Sequence, residues 1–299
     1  MPLIQYKEIN FQRKSLALIE WANEIVNTYS QQGFNLTLRQ LYYQLVSRDI
    51  IPNNEKSYDN IGTLVNNGRL AGLIDWHAIE DRTRNLRSLS HWDSPSEILR
   101  SAAHSFRLDK WIGQPNYVEV WVEKDALVEI VGRAANGLDV PFFSCRGYVS
   151  QSEMWSAAQR LISRSHDHKK LIILHLGDHD PSGIDMTRDI RERLDMFTQN
   201  DLDIDCEGIN IKRIALNMNQ VREYNPPPNP AKLTDSRCAE YIEKYGDSSW
   251  ELDALEPQVL MELIQEQIKR LMKIDKYNQI CKQEQKHIDK LLNLAENYK

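Results

Sequence analysis

The segment KLIILHLGDHDPSG (170–183) constrains the fold more than any other stretch of the chain. A run as apolar as Leu171 to Leu176 reads as a parallel strand covered on both faces. It runs into two carboxylates, Asp178 and Asp180, and then into Pro-Ser-Gly and a helix over SGIDMTRDIRERLDMF. Upstream, YVEVWVE (117–123) alternates and is rich in β-formers, so it reads as a strand, and KDALVEIVGRAAN follows as a helix. VPFFSC (140–145) is a second strand and SQSEMWSAAQRLISR a second helix. Strand and helix alternating in this way predict a parallel α/β sheet. Right-handed crossovers then bring the carboxyl ends of the strands to one edge.

That edge carries a candidate site. Glu123 ends the first strand, and Asp178 and Asp180 end the third. Sites in open α/β sheets form outside the carboxyl ends of strands, so these three carboxylates can converge. Three oxygens, with waters completing the shell, suit Mg²⁺, which bridges readily to phosphate. Zinc favours His and Cys. The same spacing also allows Asp178 and Asp180 to do no more than cap the following helix, with Ser182 sharing that task. His166, His168, His175 and His179 cluster in sequence but are not read as a zinc site. His179, between the two aspartates, is expected to touch a substrate phosphate or to lie in solvent.

The N-terminal third has a different texture. Residues 11–30 carry a helical apolar stripe, and Thr37 is placed to cap a second helix over LRQLYYQLVSR. A third helix is expected over 57–72, then a short extended piece, LIDWHAI. Helix, helix, helix and strand suggest a winged helix, a motif that sets a helix against a DNA groove. Residues 82–110 are locally basic, with Arg82, Arg84, Arg87, Arg100, Arg107 and Lys110. They form either a phosphate-contacting stretch or a solvated helix face. Pro115 marks the change to the α/β pattern, YNPPPNP (224–230) is a rigid connection, and 256–299 is expected to be helical.

Composition removes several classes. The 299 residues are 41% hydrophobic with a net charge of −6, a globular balance without a generally basic surface. Residues 1–110 are nearly balanced in charge, so the acidic excess falls in the part that holds the candidate carboxylates. No apolar run approaches the ~20 residues of a membrane helix. MPLIQYKEINFQRK lacks the apolar core of a secretion signal, so a cytoplasmic protein is expected. Cys145, Cys206, Cys238 and Cys281 are far apart and read as reduced thiols. No G-x-x-x-x-G-K-[ST] loop is present, so the chain shows no ATP site of its own.

EVWVEKDAL, CRGYVSQSE and LHLGDHDPSG, in that order, resemble the Toprim domain with its Glu, Gly and Asp-x-Asp motifs. The form is most similar to the A subunit of type IIB topoisomerase (topoisomerase VI) and to the related meiotic double-strand-break transesterase. The middle motif departs from that family: Arg146-Gly147-Tyr148-Val149 lacks its first glycine and its proline. The resemblance implies that Glu123, Asp178 and Asp180 are Mg²⁺ ligands, with Glu123 also credited with acid–base work. WELDAL (250–255) looks like a late family segment, in which Glu251 either supports a second metal or makes a structural salt bridge. Arg39-Gln40-Leu41-Tyr42-Tyr43 is similar to the family's nucleophile motif, which points to Tyr43 as nucleophile and Arg39 as a phosphate ligand. Tyr42 and Tyr43 also suit an apolar core.

The expectation is therefore an α/β protein with a winged-helix-like domain over 1–112 and a Toprim domain with a helical C-terminal extension over 113–299. The expected function is Mg²⁺-dependent DNA cleavage by tyrosine transesterification. One alternative is a hydrolytic Toprim endonuclease of a defence or mobile-element system, and another is a non-catalytic DNA-binding subunit. The resemblance further implies a homodimer, in which the tyrosine of one subunit meets the metal site of the other, and a separate ATPase partner.

Overall fold

The computed structural model describes residues 3–33, 35–80, 89–167, 169–198, 201, 208–231 and 235–298. Helices α1 (Arg13–Gln31), α2 (Leu38–Ser47) and α3 (Glu55–Leu70) pack around one apolar cluster that includes Ile25, Leu41, Leu45 and Ile61. Thr37 caps α2 as its sequence suggests. Its side chain accepts the Gln40 backbone N–H, and the Gln40 side chain accepts the Thr37 backbone N–H, a reciprocal capping box. Leu36–Thr37 pairs in parallel with Ile79–Glu80. The basic stretch around Arg82, Arg84 and Arg87 lies outside the described residues. Helix α4 (Pro95–Ser105) starts from a Ser94 cap and a proline in its first turn. It packs far along the chain, with Ser96 Oγ donating to the Ala295 carbonyl at 2.7 Å.

The α/β unit follows as β1 (Asn116–Val122), α5 (Val128–Asn136), β2 (Phe142–Ser144), α6 (Gln151–Ser165), β3 (Lys170–Leu176), α7 (Pro181–Thr198) and β4 (Ile209–Ala215). All four strands are parallel, in the order β2-β1-β3-β4. Both faces are covered, which explains the apolar strand sequences. On one face, Val118, Val120 and Leu174 meet α5 and the later helix over Pro257–Leu271; on the other, Trp121 and Ile173 meet α6 and α7. The β1–β3 register sets Val122 beside Leu176, so Glu123 and Asp178 leave the sheet side by side.

The remaining helices are α8 (Met218–Tyr224), α9 (Cys238–Tyr245), α10 (Pro257–Leu271) and α11 (Ile274–Asn297). Asn225, in the left-handed region at φ 47°, ends α8 before the proline run. Asn229–Pro230 then pairs antiparallel with Ser248–Ser249. Among the described residues no helix is long and apolar enough to cross a membrane. Cys145, Cys238 and Cys281 are free thiols, and Cys206 lies outside the described residues.

Candidate metal centre

Asp178 is the hub of the site. Its loop is held from three directions. The Asp178 backbone N–H donates to Glu123 Oε2 at 2.8 Å, which ties the end of β3 to the end of β1. His179 and Trp250 exchange backbone hydrogen bonds at 2.8 and 2.9 Å, an isolated antiparallel bridge that draws the segment WELDAL onto the loop. Leu252 N–H then donates to Asp178 Oδ1 at 2.8 Å. The third tie is Arg213, half-buried on β4. Its guanidinium donates to the carbonyls of Gly177 (2.9 Å), Asp178 (2.5 Å) and Gly183 (2.8 Å). Gly183 permits the close approach of α7, since a Cβ there would stand 2.3 Å from the Asp178 carbonyl oxygen.

The bridge at residue 250 brings two further carboxylates to the hub. Ligand atoms of Asp178, Glu251 and Asp253 lie within 4.8 Å of one another, a grouping that could hold a metal ion. The Lys124 ammonium reaches Asp178 Oδ2 at 2.9 Å and Asp253 Oδ1 at 3.0 Å, and it also contacts Glu251. Arg39, from α2, donates to Glu251 at 2.6 Å and to Asp253 at 2.7 Å. Of the residues expected from sequence, Asp178 and Glu251 thus stand in the tight cluster, and Arg39 is ion-paired to it. Glu123 touches it through the Asp178 amide. Asp180 serves in part as the helix cap: its Oδ1 accepts the Gly183 N–H at 2.6 Å and the Ser182 hydroxyl at 3.0 Å.

Burial pushes the Asp178 carboxyl up, against the pull of Lys124, and raises that of Glu123 against the Asp178 amide hydrogen bond. Glu251 is half-buried, and Lys124 and Arg39 outweigh the desolvation and hold its carboxyl below the usual range. Burial opposes the Lys124 charge, yet Asp178, Asp253 and Glu251 keep it an ammonium well above neutral pH. The donors are all carboxylate oxygens, which fits a hard cation such as Mg²⁺.

A cavity of about 370 Å³ opens beside this cluster, lined by Arg39, Tyr42, Tyr43, Asp178, Asp180 and Glu251 among others. The two tyrosines differ sharply. Tyr42 donates its hydroxyl to Asn53 Oδ1 at 2.8 Å and to the Asn54 carbonyl at 3.2 Å. Among the described residues no hydrogen bond engages the Tyr43 hydroxyl. Both rings belong to the helical core, with centroids 5.1 Å apart, and Arg39 lies 5.7 Å over the Tyr43 ring. Burial, followed by Glu251 and Asp253, pushes the Tyr43 phenol up to about 12, with Arg39 and Lys124 opposing.

Both readings of His179 are corrected. His179 neither lies in solvent nor points at a substrate: it is 1% exposed. Its Nδ1 meets the Tyr241 hydroxyl at 2.8 Å, and its ring sits among Tyr241, Tyr245 and Trp250. The imidazole is a buttress of the Asp-x-Asp loop. His175 is fully buried, with Nδ1 at 2.9 Å from Thr187 Oγ1. His168 lies outside the described residues.

Sequence reasoning missed Lys124, Arg213 and Asp253. Two of them had a local signal: Lys124 directly follows Glu123, and Asp253 repeats after Glu251 the acid-x-acid spacing of Asp178 and Asp180. No family model, curated protein or solved structure matches the chain.

Proposed function

We propose that the chain cleaves the phosphodiester backbone of DNA in a Mg²⁺-dependent reaction, with the Tyr43 hydroxyl as nucleophile. The observation that carries this reading is the meeting of Tyr43 and Arg39, from α2, with Asp178, Asp180 and Glu251 on one cavity. The resemblance to Toprim proteins of the type IIB topoisomerase A class supports it independently. The resemblance assigns Glu123, Asp178 and Asp180 to the cation, and Asp178 also belongs, with Glu251 and Asp253, to the group whose oxygens lie close enough to hold one; the cation when bound would supply positive charge beside the phosphoryl oxygens. Tyr43 Oη attacks phosphorus, the bond from phosphorus to the neighbouring sugar oxygen breaks, and that oxygen leaves with a proton as a hydroxyl end. The phosphotyrosine link conserves the energy of the broken bond for resealing. Arg39 sits beside Tyr43 with a charge that favours both the phosphate and the phenolate.

Tyr43 and the carboxylates line the same cavity of a single chain, so the proposed chemistry does not need a tyrosine from a second copy. DNA is the proposed partner. Helices α1–α3, read as a winged helix, are the proposed docking element. A homodimer and an ATPase partner belong to the same proposal. Hydrolysis is the second reading: burial, followed by Glu251 and Asp253, pushes the Tyr43 phenol up to about 12, which disfavours the phenolate. Incubation of supercoiled plasmid with the full chain, in Mg²⁺ or in EDTA, tests the shared part of both readings. Nicked or linear DNA in Mg²⁺ alone is expected; an intact plasmid in both would overturn the proposal.

A further inference from the structure

The cavity beside the carboxylates is lined by two kinds of chemistry. Arg39, Tyr43 and the acids form one part, and Asn53, Tyr58, Asn229 and Trp250 belong to the rest of the lining. Tyr43 is 5% exposed, so a group that reaches its hydroxyl has to enter the cavity. The second part joins distant stretches of the chain. Asn53 and Tyr58 come from the start of α3 and the loop before it, whereas Asn229 and Trp250 come from the strand pair Asn229–Pro230 and Ser248–Ser249 and the residue that follows it. Tyr42 donates to Asn53 Oδ1, which turns Asn53 Nδ2 to Asn229 Oδ1 and ties the two walls together.

This order of hydrogen bonds leaves donors over. Asn229 Oδ1 is used and its amide nitrogen is not. Among the described residues no hydrogen bond engages Asn229 Nδ2, the Tyr58 hydroxyl or the Trp250 indole N–H. Three unused donors and two half-buried aromatic rings thus share one cavity with the arginine and the tyrosine. Its volume, about 370 Å³, suits a single small-molecule-sized group. A stacked base pair is not such a group. A paired base is held in the stack with its edge bonded to its complement, but an unpaired one swings out cheaply and offers that edge to donors. Its plane packs on aromatic rings whatever its identity.

We propose that this part of the cavity receives one unpaired nucleotide next to the scissile phosphate, so that the substrate is DNA with a nucleotide out of the stack rather than a fully paired duplex. The inference rests on the reading of Tyr43 and Arg39 as the phosphate end. Asn229, Tyr58 and Trp250 take the base by its free edge and its plane, and the adjoining phosphate is set against Arg39.

The test is the affinity of the full chain for two short fluorescent duplexes, one fully paired and one with a single extra unpaired nucleotide, measured by anisotropy in EDTA at one salt concentration. The unpaired nucleotide should tighten binding by about tenfold or more. Asn229→Asp keeps the oxygen that accepts from Asn53 and removes the free donor, and Tyr58→Phe removes only a hydroxyl. The double variant should lose about tenfold of the preference while binding the paired duplex as the wild-type chain does, a response that a liking for bent DNA alone would not give. Should the double variant fail to fold, Tyr58→Phe decides, with a loss of about threefold. Equal affinity for the two duplexes, or an undiminished preference in the folded variant, would overturn the inference; plasmid cutting in Mg²⁺, measured separately, would then still carry the cleavage reading. Binding to neither duplex would overturn this inference and the DNA reading together.

Discussion

Exchanging the two adjacent tyrosines one at a time should separate stability from activity in opposite directions. Tyr42→Phe removes a hydroxyl that donates to Asn53 Oδ1 at 2.8 Å and to the Asn54 carbonyl at 3.2 Å. A hydroxyl has one proton, so a single hydrogen bond is lost, and its acceptors stay partly buried. The cost should be about 1–2 kcal/mol. Asn54 also caps α3 through its side chain, so the loss falls at the junction between α2 and α3. Tyr43→Phe removes a hydroxyl that no hydrogen bond engages among the described residues and keeps the ring against Tyr42 and Arg39. Its stability should stay within about 0.5 kcal/mol of the wild-type chain. Cleavage should show the reverse order. Folded Tyr42→Phe should still cut plasmid, while Tyr43→Phe should bind DNA and cut none, because no other group replaces its oxygen at phosphorus. Urea midpoints and plasmid nicking at a temperature where both variants are folded supply the comparison. Wild-type cutting by folded Tyr43→Phe would refute the nucleophile and leave hydrolysis, and an unchanged midpoint in Tyr42→Phe would refute the hydrogen-bond reasoning.

Asp178→Asn removes charge from the hub of the carboxylates while keeping its shape, so cutting should fall by orders of magnitude in a folded chain; unchanged cutting would defeat the assignment. Because Tyr43 and the carboxylates line one cavity of one chain, a mixture of Tyr43→Phe and Asp178→Asn chains should stay inactive, whereas cutting by the mixture would place the tyrosine of a second copy in the site. Burial holds His179 neutral, down to about 4, and His175 down to about 3. Both take up a proton near pH 6.5 once unfolded, so their contribution to stability is present above that pH and is lost as pH falls from 6.5 through 4. The urea midpoint of His179→Asn should fall less between pH 7 and pH 5 than that of the wild-type chain; parallel curves would contradict the neutral buttress.

The parts of the fold that read directly from sequence are those fixed by local chemistry. The cores of β1 and β3 are marked by β-rich and apolar runs, α2 by Thr37 and Gln40, and the turn into α7 by Asp180, Pro181 and Gly183. Strand β4 does not read as a strand from its sequence because Lys212 and Arg213 interrupt INIKRIA, although Arg213 is what clamps the Asp178 loop. The acids of WELDAL join the site through the backbone bridge between His179 and Trp250, a long-range pairing that no local spacing announces. His179 is hard to place for a related reason: its position between two aspartates suggests exposure, and only the packing of Tyr241, Tyr245 and Trp250 shows that it is covered. Lys124 is the clearest loss. A lysine after a strand reads as solvated, and its partners come from segments far along the chain.

The central claim is that Tyr43 attacks the DNA backbone, and the most direct measurement is the mass of the tyrosine after reaction. The full chain is incubated with supercoiled plasmid and Mg²⁺, quenched in detergent, and digested with nuclease and then with protease. The peptide spanning residues 40–48 is then weighed. A nucleotide joined through phosphate to Tyr43, absent in EDTA and in Tyr43→Phe, is the result expected from this site. Cut plasmid with an unmodified Tyr43 peptide, from a quench shown to trap protein–DNA links, would contradict it.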